Sequence, residues 1–314
     1  MIVLIILGIV ALVYILISFY IAIKLAYAPH KPIDKMPASL GLTFANVTFP
    51  SREDRVQLRG WFIPGVLANG CLTAERTIIV VHGVRTNRAD ADAGLLDLSG
   101  ALARHGLAIL AFDMRGTGQS PRAPVSLGYF EQRDVLGAVD FLQSGSLPYP
   151  DLGRPHCIGG WGVSMGAATL IMATARETAI RAIVSDCAYA EITPILQREI
   201  PKESHLPSVF TAGALLAARL LYGVDFYAVR PVDVVAKIAP RPIFFIHGAA
   251  DEYIEPSNMN ALAKAACMAP KANVQTWLVP GAAHAQSFND MKQEYVARVV
   301  AFYDAALESE SEGT

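Results

Sequence analysis

The run Cys157-Ile158-Gly159-Gly160-Trp161-Gly162-Val163-Ser164-Met165-Gly166-Ala167-Ala168-Thr169-Leu170 decides the fold. Cys157–Trp161 is apolar and reads as a strand, and Ala167–Leu170 continues as helix. Between them, Gly162-Val163-Ser164-Met165-Gly166 fits G-x-S-x-G. A sharp strand-to-helix turn forces its central serine into a strained conformation, and glycine on either side relieves the crowding of side chains against neighbouring backbone. The turn lifts the hydroxyl above the sheet, where a carbonyl can reach it. As a bare pattern the motif arises by chance in about one chain in ten of this length. The strand before it and the helix after it give it weight.

Outward from this turn, short apolar runs alternate with longer helical ones. Ala45–Phe49 and Arg55–Ile63 read as an antiparallel opening pair, because the second run alternates polar and apolar residues. Near-continuous apolar runs follow at Thr77–Val81, Leu107–Phe112, Cys157–Trp161, Ala182–Ser185, Ile243–Ile246 and Val274–Val279, the pattern of parallel strands buried on both faces. Helical segments lie between or after them at Asp90–Arg104, Phe130–Gln143, Met165–Arg176, Ser257–Met268 and Asp290–Leu307. Such alternation predicts a mostly parallel eight-stranded α/β sheet with helices on both faces. One interval is too long for a crossover. Residues 188–239 are expected to form an inserted helical cap, with Leu206–Tyr222 as its apolar helix.

A serine hydroxyl is a poor nucleophile until a base takes its proton. In a strand-turn-helix site of this kind the chain order is serine, acid, histidine. Asp251 follows the Ile243–Ile246 run, and His284 follows the last run within Pro280-Gly281-Ala282-Ala283-His284. Both stand just beyond strand carboxyl ends, on the sheet edge that carries Ser164, where open α/β sheets bind ligands. Asp186, at the end of the Ala182–Ser185 run, is the rival acid.

These motifs, with Val81-His82-Gly83 and Phe112-Asp113-Met114-Arg115-Gly116-Thr117-Gly118-Gln119-Ser120, resemble the α/β-hydrolase superfamily. More closely the chain resembles membrane-tethered hydrolase-domain proteins of that superfamily, and it is similar also to prolyl-oligopeptidase-like and dienelactone-hydrolase-like domains. The resemblance runs from about Ala45 to Leu307. It implies that Ser164 is the nucleophile, His284 the general base and later acid, and Asp251 the residue that orients His284. It further implies an oxyanion hole made by the backbone N–H groups of Val84 and Met165, whose side chains carry little identity information. Losing one such donor can cost roughly 3 kcal/mol.

Ile2 to Ile23 contains no charge, and as a helix it spans roughly 33 Å, the thickness of a bilayer's hydrocarbon core. Tyr14, Phe19 and Tyr20 lie on the segment, and Tyr27 just beyond it is placed for the interface. Ala26-Tyr27-Ala28 resembles a signal-peptide cleavage site, but the apolar run is too long and no basic residue precedes it. The expectation is therefore a single-pass anchor over residues 1–27 with no place in the soluble core. The nearby positive residues, Lys24, Lys31 and Lys35, all lie on its C-terminal side, which favours a cytoplasmic catalytic domain. Residues 28–44, with three prolines, read as a stalk, residues 45–307 as the hydrolase domain, and the acidic tail 308–314 as disordered.

Composition excludes other classes. Of 314 residues 53% are hydrophobic and 17% charged, which supports a large core, and the net charge of -2 without a basic stripe gives nucleic acid no footprint. Cys71, Cys157, Cys187 and Cys267 are scattered, with no CxxC pair. Neither zinc nor a redox pair is indicated, and Cys157 and Cys187 read as small buried hydrophobes in strands. His82 and His247 are expected to be structural, and Asp113 and Arg115 to brace the turn after their strand. Gly160-Trp161-Gly162 lacks dinucleotide-binding spacing.

The expected reaction is hydrolysis of an ester or thioester through an acyl-serine intermediate, with no metal or organic cofactor, on a small-molecule or lipid-like acyl substrate. Amide cleavage by a prolyl-oligopeptidase-like peptidase is the chemical alternative, and a non-catalytic binding module on the same fold the alternative from another class. Leu206, Phe210, Leu215, Leu216, Leu220 and Leu221 either line an acyl pocket or merely pack the cap. The oligomeric state stays open.

Overall fold

The computed structural model describes residues 1–27 and 29–307. The strands are β1 (Ala45–Pro50), β2 (Gln57–Ile63), β3 (Gly65–Val66), β4 (Leu72–Thr73), β5 (Arg76–Val81), β6 (Ala108–Asp113), β7 (Cys157–Val163), β8 (Ile180–Asp186), β9 (Ile243–Gly248) and β10 (Val274–Val279). Eight form one sheet in the order β1-β2-β6-β5-β7-β8-β9-β10. β2 is antiparallel to both its neighbours, and from β6 to β10 every pairing is parallel. β3 and β4 make a separate two-stranded hairpin.

Strand residues alternate between two cores. In β5, Ile79 and Val81 face one side while Ile78 and Val80 face the other, and β9 divides Ile243 and Phe245 from Phe244 and Ile246 in the same way. Each core is roofed by helices, which is why the strands read as continuously apolar. Helices α3 (Glu131–Gln143), α4 (Met165–Thr174) and α7 (Ser257–Ala266) cover the first side, and α2 (Leu95–Arg104), α8 (Ser287–Asp290) and α9 (Lys292–Leu307) the second. The arrangement is the expected α/β-hydrolase fold.

The insert carries two helices, α5 (Ile192–Ser204) and α6 (Val209–Tyr222), then three short 3-10 turns. Helix α5 holds a proline at position 201 and was not expected.

The N-terminal helix α1 (Ile2–Ala26) is long and apolar enough to cross a membrane. It corrects one expectation, because its last turns join the core: Ile21, Ala22 and Ala26 are buried, and Val125 N–H donates to the Ala26 carbonyl at 2.9 Å. Nor do residues 29–44 stand free as a stalk. His30 Nδ1 lies 2.9 Å from the Gly118 carbonyl, Asn87 Nδ2 donates to the Lys31 and Pro32 carbonyls at 3.1 and 2.9 Å, and Ile33 and Leu40 pack on the second core. A segment whose backbone carbonyls are satisfied by the domain is a strap. Ala28 and the tail 308–314, read as disordered from sequence, lie outside the described residues.

Candidate active site

β7 ends at Val163, and α4 begins at Met165. Ser164 between them has φ 55° and ψ -122°, a conformation that costs an L-residue of order 1–3 kcal/mol and persists only where its surroundings enforce it. They do so here. A Cβ on Gly162 would stand 2.7 Å from the Gly166 carbonyl carbon, and one on Gly166 would strike the Val81 and His82 carbonyl oxygens. Ser164 N–H is held by the Asp186 carbonyl at 2.8 Å.

Asp251 stands in the turn after β9 and His284 in the turn after β10, two and three strands along the sheet from β7. His284 Nδ1 is 2.7 Å from Asp251 Oδ2, and His284 Nε2 is 3.0 Å from Ser164 Oγ. An ionised carboxylate only accepts, so Nδ1 carries the proton and the Nε2 lone pair faces the serine hydroxyl. Asp251 Oδ1 accepts the N–H groups of Tyr253 and Ile254 at 3.0 and 2.8 Å. Burial alone raises the Asp251 pKa, but the hydrogen bonds from His247, His284 and Ile254 outweigh it and hold it down at about 2. The Tyr253 ring meets the His284 ring edge-on at 5.0 Å.

Asp186 occupies the neighbouring strand end, but its carboxylate is turned into the second core. It accepts from Tyr295 Oη at 2.8 Å and Ser287 Oγ at 3.2 Å, and burial raises its pKa to about 6. Cys187 lies just past β8 at φ 45°, rather than within a strand as expected. Its sulfur, with Asp251 and His284, forms a trio whose donor atoms lie within 4.8 Å of one another, the one such cluster among the described residues able to hold a metal. Burial raises the thiol pKa well above its ordinary value, whereas a metal needs the thiolate, and the other two donors already bond each other.

The flanking residues separate cleanly. His82 is satisfied: Nδ1 donates to the Gly83 carbonyl at 2.7 Å, and Nε2 accepts Met114 N–H at 3.0 Å. Asp113 pairs with buried Arg88 and accepts Gln119 N–H at 2.8 Å, while Arg115 grips Asp134 and Asp54. Both brace the loop after β6. Buried His247 shares its Nε2 proton between the Ile254 carbonyl at 2.7 Å and Asp251 Oδ2 at 3.3 Å, and its Nδ1 has no partner among the described residues.

A cavity of ≈ 70 Å³ opens at Ser164, and Val84 and Met165 line it too. Met165 N–H is the first amide of α4, where the helix dipole favours developing negative charge. The rest of the wall was not foreseen. Most of it comes from α5, through Ile192, Ile195, Leu196 and Ile200 with the charged Glu199 and Glu203, and the remainder from Leu25 of α1, Arg85, Leu127, Tyr189, Tyr253 and Ile254. The spacing 192, 195, 196, 200 is an amphipathic helical face, a signal masked by Pro194 and Pro201. Of the six apolar cap residues singled out from sequence, Leu206 lines an outer chamber of ≈ 880 Å³, Phe210 stacks on Tyr14, Leu215 is buried, and Leu216, Leu220 and Leu221 are exposed.

Residues 99–310 match the prolyl oligopeptidase family. Among curated proteins, the uncharacterised protein YqkD of Bacillus subtilis is 29% identical over 234 residues, covering 73% of this chain and 71% of its own length. The uncharacterised protein YfhR of Escherichia coli K12 is 26% identical over 293 residues, covering 91% and 89%. Among solved structures, the Pyrococcus furiosus esterase Pf2001 superposes with a TM-score of 0.72 at 23% identity, over 90% of this chain and 99% of that one. The Pyrococcus horikoshii acylaminoacyl peptidase does so with 0.61 at 16% identity, over 87% of this chain and 43% of the other. At these identities the superpositions show the fold.

Proposed function

The chain belongs to the prolyl oligopeptidase family of α/β-hydrolase serine hydrolases, and from that premise we propose that it cleaves an ester or thioester through an acyl-Ser164 intermediate while tethered to a membrane by α1. One observation carries the reading: the Ser164 Oγ to His284 Nε2 distance of 3.0 Å, continued by 2.7 Å from Nδ1 to Asp251. His284 takes the hydroxyl proton as Oγ attacks the acyl carbonyl, and Asp251 steadies the imidazolium that forms. The oxyanion meets the N–H groups of Val84 and Met165. His284 then protonates the leaving oxygen or sulfur, and water activated by the same imidazole releases the acid. Lys24 in the last turn of α1 and Lys31 and Lys35 beyond it lie on its C-terminal side, which favours a cytoplasmic site.

The preference for an acyl substrate rests on the wall of the cavity. Ile192, Ile195, Leu196 and Ile200, with Leu127 and Ile254, make most of that wall hydrocarbon beside the charged Arg85, Glu199 and Glu203, whereas an extended peptide needs donors and acceptors all along its backbone. Family membership favours a second reading, cleavage of a peptide bond by the same three residues. The two are separated by kcat/KM across matched panels of acyl esters, acyl thioesters and N-acyl peptides. Higher values for the esters or thioesters support the proposal, and a peptide as best substrate replaces it with the second reading.

A further inference from the structure

Helix α1 changes character along its length. Residues 1–13 are exposed on all sides, and from Tyr14 onward one face packs against the cap helix α6. Tyr14 Oη donates to the Val209 carbonyl at 3.0 Å, and its ring stacks on Phe210 at 5.3 Å. Gly213 leaves room for Ser18: a Cβ there would strike Ser18 Oγ and stand 2.7 Å from Tyr14 Oη. Tyr27 meets Tyr222 edge-on at 5.7 Å. These contacts advance in step, so the two helices run parallel, side by side.

Length then decides where α6 must lie. Thirteen free residues make roughly 20 Å of helix, short of the roughly 30 Å of hydrocarbon in a bilayer. A span built on α1 therefore draws in roughly 10 Å of the α6-packed portion, to about the level of Tyr20, and with it the first turns of α6. The outer face of α6 suits that position. Val209, Leu216 and Leu220, at i, i+7 and i+11, are 61%, 58% and 69% exposed and continue the apolar surface of α1. Near the far end of α1, Lys24 lies over the Tyr20 ring at 5.7 Å and Arg122 over the Tyr27 ring at 5.0 Å, the residue types of a membrane–water interface. At the same level lies the ≈ 880 Å³ chamber, walled by Tyr20, Ile21, Lys24, Leu25, Arg122 and Leu206. It shares Leu25, Ile200 and the ion-paired Arg85 and Glu203, 3.1 Å apart, with the cavity at Ser164.

We propose that α1 and α6 are immersed together in the bilayer and that the chamber is a lateral port through which a membrane phospholipid presents its acyl ester to Ser164. Lys24 and Arg122 meet the head-group phosphate, and the acyl chain passes Leu25 into the α5-lined cavity. The ester C–O bond breaks as Ser164 Oγ takes the acyl group, His284 gives the proton to the departing lysolipid oxygen, and water releases the fatty acid and restores the serine hydroxyl. The chemistry rests on the hydrolase reading above, and the placement of α6 does not.

The test uses the full chain in dioleoylphosphatidylglycerol vesicles. Val209→Trp, level with Tyr14, should show fluorescence, read as the difference from wild type, that brominated acyl chains quench. An unquenched difference signal overturns the immersion. Val209→Glu with Leu216→Glu should lower release of oleate from vesicles on the order of tenfold and leave kcat/KM for a water-soluble acetyl ester unchanged. Equal loss on both substrates, or loss on neither, overturns the port. Dissociation of a detergent-solubilised dimer by the double substitution, without quenching at position 209, would instead assign the face to a second copy. A wild-type chain inert even on the soluble ester would sink the hydrolase reading, while the quenching experiment still decides where α6 lies.

Discussion

Tyr295 donates its hydroxyl to Asp186 Oδ2 at 2.8 Å and accepts the Trp161 indole N–H at 3.0 Å. That bond takes Asp186 out of competition for His284, although its strand lies between those that carry Ser164 and Asp251. Tyr295→Phe leaves a buried indole N–H without an acceptor and the carboxyl with one donor fewer. It should lower stability by about 1–3 kcal/mol and leave ester turnover by the folded fraction nearly unchanged. Thermal melts and kcat/KM on the same preparation check this. Collapsed turnover with an unmoved melt would bring Asp186 into the chemistry.

Asp251→Asn should reduce kcat by about 10⁴, because an amide in place of the carboxylate favours the wrong imidazole tautomer. It also has a pH signature. The folded pKa of Asp251, about 2, lies below the ordinary 3.8. The stability it contributes is thus present above the ordinary value and lost as pH falls through the folded one. The melting-temperature gap between wild type and variant should accordingly narrow on acidification from about pH 5 to about pH 2. A gap that widens contradicts the assigned hydrogen bonds.

Substrate length should be read by α5. Ile195→Ala and Leu196→Ala trim the cavity wall, and each lost methylene contact is worth about 0.8 kcal/mol, or about fourfold in relative kcat/KM. The ratio of long-chain to short-chain turnover should shift several-fold. Phe210→Ala, which removes a stacking partner of Tyr14, should leave that ratio unchanged on soluble esters. A shift confined to Phe210→Ala would put the acyl site elsewhere in the cap.

Removing residues 1–28 should not yield the native domain. It strips Ile21 and Ala22 from the core together with buried Ala26, and uncovers the α6 face around Gly213. The truncated chain should melt lower and self-associate, as seen by calorimetry and light scattering, and the full chain should resist carbonate extraction. A monomeric truncated domain with an unchanged melting temperature would show that the packing of α1 contributes nothing.

The central sheet was legible because burial on both faces leaves an unambiguous trace: Thr77–Val81 and Ile243–Ile246 read as strands with no knowledge of their neighbours. The positions of Ser164, Asp251 and His284 at strand ends followed from chain order and turn residues. Helix α5 was not legible, since Pro194 and Pro201 signal a break and only packing on the domain overrides them. The wall of the cavity was missed with it. The docking of α1 on α6 was hidden for another reason. The face that meets Gly213 uses Tyr14 and Ser18, and within an apolar span no hydrophobic period marks one side as inward. The strap over residues 29–44 was misread because its order comes from outside, through Asn87 and Gly118, and its own prolines suggest a linker.

The central claim is that Ser164 attacks the acyl group, and its most direct measurement is covalent labelling by a fluorophosphonate followed by mapping of the adduct. The wild-type chain should take one adduct, on the peptide that contains Ser164. Ser164→Ala should take none and lose nearly all ester hydrolysis, while its melting temperature stays within a few degrees, because one hydroxyl is removed and no packing. An alanine variant that still labels or still turns over the ester at the wild-type rate would contradict the account.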